Sequence, residues 1–303
     1  ASDVPLNDDG VPSGYVDEDI RELARCLTGW SLDERTGEFL YRSYWHDTGP
    51  KTVLGIDLPA NNPPLEDYRT VLDFLAVHSG TARFIAAKLC RRLVADTPPE
   101  SLIDTAASVF LANADRPDQL KQVVRAILLS DAFSASWGDK VRRPFETTVA
   151  ALRTMGPTFS LPLDQDVSRY YLFLLFSTGQ LPFIWPPPTG YPDRKEAWLT
   201  TNAMVACWRM IHLFTDLELR GSRPCDPVAE TPANLETSTE IVDYWIDRAL
   251  RRTVDTATRA ELIGFMADGG DPNQPLNLNS WSIRGRLRAM VGLVLTSPDF
   301  HWR

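Results

Sequence analysis

The segment from Tyr44 to Gly55 concentrates the side chains best suited to chemistry. Within it, His46, Asp47 and Lys51 bring an imidazole, a carboxylate and an amine close together along the chain. A histidine can act as a base or a ligand, an aspartate can orient it, and a lysine can bind a substrate anion. Glycines and a proline interrupt the segment, so it does not form a solvated helix face. We therefore take these three residues as candidate catalytic residues.

The same three residues also have a purely structural interpretation. In extended backbone, the adjacent side chains of His46 and Asp47 point to opposite faces, so a catalytic pair would need a partner from elsewhere in the chain. In a structural turn, Asp47 would cap backbone amides and Lys51 would pair with a buried carboxylate. The sequence leaves both interpretations open.

A second candidate region is the proline-rich loop that contains Trp185 and Tyr191. Aromatic rings held by prolines suit the binding of sugar rings or peptides, whereas the alternative is a lid packed on the helical core. We take Trp185, Tyr191 and the more distant Arg209 as candidate substrate-binding residues, with a cleft expected between this loop and the His46 to Lys51 segment. Further ionisable residues beside apolar helix faces are Lys88, Lys140 and Glu146.

No metal site or cofactor can be assigned from the motifs. The loop from Asp268 to Asn273 could offer oxygen ligands to calcium, but it lacks the spacing and the terminal glutamate of an EF-hand. The sequence has no nucleophile elbow, phosphate loop or dinucleotide glycine motif. The four cysteines are scattered without a CxxC pair, which disfavours structural zinc; a disulfide between Cys207 and Cys225 stays an alternative to buried thiols.

Composition narrows the range of partners. The chain has 303 residues, 44% of them hydrophobic, and a formal net charge of −9. An acidic chain without a basic run is a poor candidate for binding nucleic acid or anionic membrane surfaces. No apolar stretch approaches the ~20 residues that a membrane-spanning helix needs. A polymer or a small molecule is the more suitable ligand.

Apolar residues recur at helical spacing along most of the chain, which predicts a mainly α-helical, compact multi-helix domain with long proline-rich loops. Residues 169–176 are apolar all round and predict a fully buried helix. At most one small β-hairpin is expected, around the turn at residues 35–37. We treat 1–303 as a single domain with two sub-modules, 15–160 and 161–303, because residues 124–133 resemble residues 291–300.

Several blocks of the chain together resemble the domain of unknown function 1800 family. The matching blocks occur in the family's order over nearly the whole chain: residues 14–30 (Gly-Tyr-Val-Asp to Thr-Gly-Trp), 46–55 (His-Asp-Thr-Gly-Pro-Lys-Thr to Leu-Gly), 81–89 (Thr-Ala-Arg-Phe-Ile-Ala-Ala-Lys-Leu), 140–146 (Lys-Val to Arg-Pro-Phe-Glu), 179–183 (Gly-Gln to Pro-Phe), 188–192 (Pro-Thr-Gly-Tyr-Pro) and 297–300 (Ser-Pro-Asp-Phe).

The resemblance implies an exported protein, periplasmic or secreted, because family members commonly carry secretion signals. It implies no reaction. Family members also extend further at the N-terminus, so we expect the chain to carry the C-terminal two-thirds of the family pattern and to bind an N-terminal fragment or a partner chain. Two functional hypotheses follow: an exported, hydrolase-like enzyme with its site near His46, or a non-catalytic extracytoplasmic binding or assembly subunit.

Overall fold

A computed structural model describes residue 4 and residues 14–156, 166–218, 223 and 225–303. The chain divides into two compact units, unit 1 over residues 1–135 and unit 2 over residues 136–303. The sub-module boundary expected at residue 160 therefore falls within the range of unit 2.

Unit 1 contains six helices and two hairpins among the described residues. The helices are α1 (Asp17–Cys26), α2 (Glu66–Ala76), α3 (Ser79–Leu93), α4 (Glu100–Ala112), α5 (Gln119–Leu128) and α6 (Asp131–Ala135), and the strands are β1 (Trp30–Leu32), β2 (Phe39–Tyr41), β3 (Lys51–Val53) and β4 (Ile56–Leu58). One apolar cluster joins α3, α4 and α5, where small residues such as Ala82 and Ala86 let the helices approach closely. A second cluster, which includes Cys26 and Val71, lies between α1, α2 and the β3–β4 hairpin.

In the described part of unit 2 the regular elements are helices, joined by loops, and no β-strand occurs. The α-helices are α7 (Pro144–Met155), α8 (Asp166–Ser177), α9 (Thr201–Asp216), α10 (Pro227–Glu230), α11 (Ser238–Leu250), α12 (Thr256–Ala267), α13 (Trp281–Thr296) and α14 (Pro298–His301). Trp245 of α11 is fully buried in the main core of this unit. The mainly helical fold expected from the apolar spacing is confirmed, and no described helix is long and apolar enough to cross a membrane.

The structure contains one hairpin more than expected. The antiparallel pair β1–β2 is the predicted one, with Leu32 opposite Phe39. The second pair, β3–β4, turns through Leu54 (φ 50°) and Gly55 (φ 81°), so both central residues have positive φ. A two-residue turn of this kind matches the strand twist but normally uses Asn-Gly or Asp-Gly. Because a leucine stands where asparagine or aspartate is usual, the sequence did not predict this turn.

The apolar run of residues 169–176 predicted a helix that is buried on all sides, but α8 is buried on only one side. Leu174 and Leu175 are buried against Cys207 and Met210 of α9. On the other side of α8, four apolar side chains are substantially exposed: Tyr170 (45%), Leu172 (41%), Phe173 (61%) and Phe176 (61%). The expectation of full burial was wrong because the apolar run has two faces and α9 covers only one of them.

The repeated helix ending predicted from the sequence occurs once in each unit. After α5, the Ser130 hydroxyl donates to a carbonyl of the last helical turn at 2.7 Å and accepts the Phe133 amide at 3.1 Å. After α13, the Ser297 hydroxyl makes the same two bonds, at 2.7 Å to the helix and 3.3 Å from the Phe300 amide. The same side-chain cap therefore redirects the chain at both places.

All four cysteines are free and buried, so no disulfide joins Cys207 to Cys225. Burial raises the pKa of Cys26 and Cys90 to about 11, and that of Cys207 and Cys225 to about 12. For Cys26 the nearby Asp67 adds to the effect. These thiols are small core residues.

Candidate functional site

His46 follows a 3-10 turn (Ser43–Trp45) and points into unit 1. Its side chain is 6% exposed, and its Nε2 lies 3.3 Å from Oδ2 of Asp67. On the other side of the ring, Nδ1 lies 2.9 Å from the carbonyl oxygen of Thr28. Both ring nitrogens therefore have protein partners, and neither faces open solvent.

Lys51, the first residue of β3, is held by three acceptors. Its Nζ donates to Oδ2 of Asp67 at 2.7 Å and to the carbonyl oxygens of Asp47 at 2.5 Å and Gly49 at 2.9 Å. An ammonium group has three protons to donate, so this bonding is complete. The side chain is 1% exposed, which leaves it no contact with a substrate anion.

Asp67, in the first turn of α2, lies at the centre of the cluster. Burial would raise the pKa of its carboxyl group, but hydrogen bonds from Lys51 and Asn62 outweigh burial and hold the pKa below its usual value. Asn62 donates to Oδ1 at 2.6 Å. The cluster of His46, Lys51, Asn62 and Asp67, which we call the Asp67 cluster, is thus a buried and internally bonded polar group.

Asp47 faces away from this cluster, as expected for the neighbour of His46 in extended backbone. Arg25 of α1 binds its two carboxylate oxygens at 2.8 and 3.2 Å, and the amide of Gly49 donates to Oδ1 at 2.8 Å. The bonds from Arg25, and then that from Gly49, hold the pKa of the Asp47 carboxyl well below its ordinary range. The Asp47 amide is bonded in turn to the hydroxyl of Thr28 at 2.8 Å. Asp47 therefore fastens the turn to α1.

Asp67 was not among the residues expected from the sequence, although its position on α2 offered a local signal. Asp67 and Val71 are four residues apart on α2 and both are buried, with exposed fractions of 2% and 0%. Residues at this spacing share a helix face. A carboxylate in line with a core valine thus marks a buried charge that needs a cation, which Lys51 supplies.

The aromatic loop of unit 2 packs on itself and on Trp198, which lies just before the start of α9. The hydroxyl of Tyr191 donates to the carbonyl of Leu181 at 2.5 Å, and its ring lies 4.8 Å from that of Trp185 and 5.8 Å from that of Trp198. Trp198 is buried and donates to the carbonyl of Pro192 at 2.9 Å. Trp185 and Tyr191 are in unit 2, whereas His46, Asp47 and Lys51 are in unit 1.

The other ionisable candidates have structural contacts. Lys88 lies over the ring of Phe84 at 4.9 Å. The buried Lys140 donates to the carbonyl of Asp193 at 2.9 Å, and Glu146 caps the N-terminus of α7. Among the described residues, no group of three His, Cys, Asp or Glu side chains is arranged to hold a metal ion, the Asp268 to Asn273 loop included.

Arg209 lines a groove within unit 2. The groove lies between α8, α9 and α13 and has a volume of about 810 Å³, within the ~300–1,000 Å³ typical of small-molecule sites. Its described lining residues are Tyr170, Val205, Trp208, Arg209, His212, Leu213, Leu293, Thr296 and Ser297. Of the residues proposed from the sequence, Arg209 is the one that lines this groove.

The wall of the groove is anchored by a buried histidine. Trp208 Nε1 donates to Nε2 of His301 at 3.2 Å, and His301 is 3% exposed. Burial, assisted by the positive charge of Arg142, lowers the pKa of His301 to about 4. His301 is therefore neutral near pH 7, and its Nε2 can accept the hydrogen bond that the indole N–H of Trp208 donates.

This histidine gives a testable pH dependence of stability. Unfolded His301 takes up a proton near pH 6.5, whereas the folded form does so only near pH 4, so the unfolded state binds more protons between these values. The contribution of buried, neutral His301 to the free energy of unfolding is fully present above about pH 6.5. It decreases as the pH is lowered, and about 2 kcal/mol of it is lost at pH 5. Urea unfolding at pH 7 and pH 5 should show a smaller pH effect in His301→Gln than in the wild type. Equal pH effects in both proteins would contradict this assignment.

The fold defines a mainly α-helical protein with two short hairpins and a buried polar cluster. The family model for "Protein of unknown function (DUF1800)" matches residues 10–302, and the chain belongs to this family. The match covers essentially the whole chain, so the expectation of the C-terminal two-thirds of the family pattern was not accurate in that detail. No curated protein and no solved structure matches the chain.

Proposed function

We propose that this chain is a non-catalytic extracytoplasmic subunit that binds a partner polypeptide through an uncharged apolar surface of unit 2. We assign to this surface the exposed apolar side chains of one segment of the chain: Phe173 and Phe176 on α8, and Phe183 and Ile184 in the loop that follows α8. The exposed fractions in the loop are 104% for Phe183 and 56% for Ile184. Exposed apolar side chains concentrated in one segment are typical of interaction sites.

The absence of charge from this segment is the observation that carries the proposal. No Asp, Glu, Lys or Arg occurs from residue 170 to residue 192, in a chain with a net charge of −9. The cores of protein interfaces are depleted of charged residues and enriched in aromatic ones. The partner suited to this surface is therefore a polypeptide with an apolar face, either an N-terminal fragment of the same protein or a separate chain.

The Asp67 cluster supports a structural role over a catalytic one. A general base must reach the proton it removes, whereas the His46 side chain is 6% exposed and bonded on both sides. Lys51 has no free donor. The hydrolase hypothesis would need this cluster to open, while the subunit hypothesis uses it as a brace between α2 and the β3–β4 hairpin.

The interface can be tested by site-specific photo-cross-linking in the producing cells. Benzoylphenylalanine placed at position 173 or 176 should give one main protein adduct, while the same group at Trp281 should not. Trp281 is a suitable control because it is 83% exposed and lies on α13. The identified partner, once purified, should bind the double variant Phe173→Ser, Phe176→Ser at least tenfold more weakly than the wild type.

Two outcomes would overturn the proposal. One is the lack of a protein adduct at both positions 173 and 176, or equal adducts at Trp281. The other is hydrolysis of an extracellular polymer by the purified wild type that His46→Ala abolishes without loss of thermal stability. In the second case His46 would be catalytic, and the Asp67 cluster would have to be accessible during turnover.

A further inference from the structure

We propose that the groove between α8, α9 and α13 is a binding site for a small ligand that carries one oxyanion on an apolar body. The groove is distinct from the proposed partner surface: Tyr170 of α8 lines it, whereas Phe173 and Phe176 are not among its described lining residues. It depends on three features of the groove: a guanidinium group with no acidic partner among the described residues, a fixed aromatic wall and an apolar floor.

The first feature is the charge of Arg209. No described residue forms an ion pair or a hydrogen bond with its side chain, and no acidic side chain is among the described lining residues. Asp216, at the end of the same helix, is engaged by Arg223 at 3.2 Å and by Arg288 at 3.3 Å. In an acidic chain, a cation without a carboxylate partner favours an anion from solution.

The second feature is the orientation of Trp208. Its indole nitrogen is bonded to the buried His301, so one edge of the ring is fixed while 40% of the residue stays exposed. Tyr170 of α8 also lines the groove. Aromatic rings present a large apolar face with little conformational freedom to lose. They suit the aromatic or aliphatic body of a ligand.

The third feature is the close approach of α9 and α13 beneath the groove. A Cβ atom at Gly292 would lie 2.9 Å from the ring of His212, so only glycine lets this ring pack so closely on α13. Leu213 and Leu293 supply apolar lining on the two helices. The close packing of α9 on α13 thus sets the shape of the groove, so the groove is already formed before a ligand binds.

These features together select the ligand class. A guanidinium group binds a carboxylate, sulfonate or phosphate through two parallel hydrogen bonds. A single arginine matches a single oxyanion, and the apolar walls favour a body of ring or chain carbon. Inorganic phosphate offers the charge without the body, and a neutral ligand offers the body without the charge.

The test compares matched probes on the purified protein. Naphthalene-2-acetate, 2-naphthaleneethanol and inorganic phosphate would be titrated calorimetrically into the wild type, Arg209→Gln and Arg153→Gln. Arg153 is a matched control because it is an exposed arginine of unit 2, on α7, outside the groove. Naphthalene-2-acetate should bind the wild type at least tenfold more tightly than the alcohol or phosphate. Arg209→Gln should remove this preference, and Arg153→Gln should keep it.

Several results would overturn the inference. They are no saturable binding of naphthalene-2-acetate, equal affinity for the acid and the alcohol, or an unchanged preference in Arg209→Gln. Thermal melting of each variant would verify that it is folded, and Arg209→Lys offers a second variant, which should keep part of the preference because the charge remains. The double variant Phe173→Ser, Phe176→Ser should bind the probe as the wild type does, so failure here is distinct from failure of the proposed partner interface.

Discussion

Replacing Lys51 with methionine is expected to lower the free energy of unfolding of unit 1 by about 3–5 kcal/mol. The substitution removes the cation from a carboxylate, Asp67, that is 2% exposed. A buried charge without its partner keeps its desolvation cost and loses the compensating attraction. Urea unfolding followed by circular dichroism would measure the loss, with hydrogen exchange in α2 and β3 locating it.

Lys88→Met is the matched control for this substitution. Lys88 is an exposed lysine of the same unit, and exposed substitutions usually change stability by less than ~0.5 kcal/mol. The double variant Lys51→Met, Asp67→Asn should recover part of the loss because it also removes the unpaired charge. A loss below about 1 kcal/mol in Lys51→Met would show that the Asp67 cluster is not the brace we describe.

The second large effect is expected at Trp245, which is fully buried in the core of unit 2. Trp245→Ala should destabilise this unit by about 3–5 kcal/mol, since the cavity cost adds to the lost burial. It also removes the bond from Trp245 Nε1 to the hydroxyl of Thr231, 3.0 Å in length. Thermal and urea unfolding would measure the change.

Trp281→Ala provides the comparison, because Trp281 is 83% exposed and should tolerate truncation within about 0.5 kcal/mol. A similar loss for both tryptophans would contradict the assignment of Trp245 to the core. Hydrogen exchange in unit 1 should be the same in Trp245→Ala and the wild type if the effect is confined to unit 2.

The helices were predictable because their signals are local. Residues 144–155 show this best: Pro144 begins α7, and Gly156 ends it with φ 62°. A proline at the first position of a helix and a glycine just after its end can be recognised from the residue types alone. The β3–β4 hairpin was not predictable in this way, since Leu54 occupies a position that normally takes asparagine or aspartate.

The candidate sites were only partly predictable, because their geometry depends on contacts between distant residues. The spacing of His46 and Lys51 marked a polar segment, but their common partner Asp67 is on another element. The position of Asp67 four residues before Val71 could indicate that it is buried, but not which residues it would pair with. The outer face of α8 was missed for a related reason: composition shows that a helix is apolar, while its neighbours decide which side is covered. Arg209 was named from the sequence, but the groove around it comes from α8 and α13.

The four buried thiols are built-in reporters of local opening in each unit. A thiolate is the reactive form of cysteine, and burial both raises the thiol pKa and excludes reagents from the sulfur. Alkylation must therefore wait for local opening. Two of the thiols, Cys26 and Cys90, are in unit 1, and the other two are in unit 2. The order in which the two pairs are alkylated in mild denaturant thus reveals which half of the chain opens first, with no engineered label.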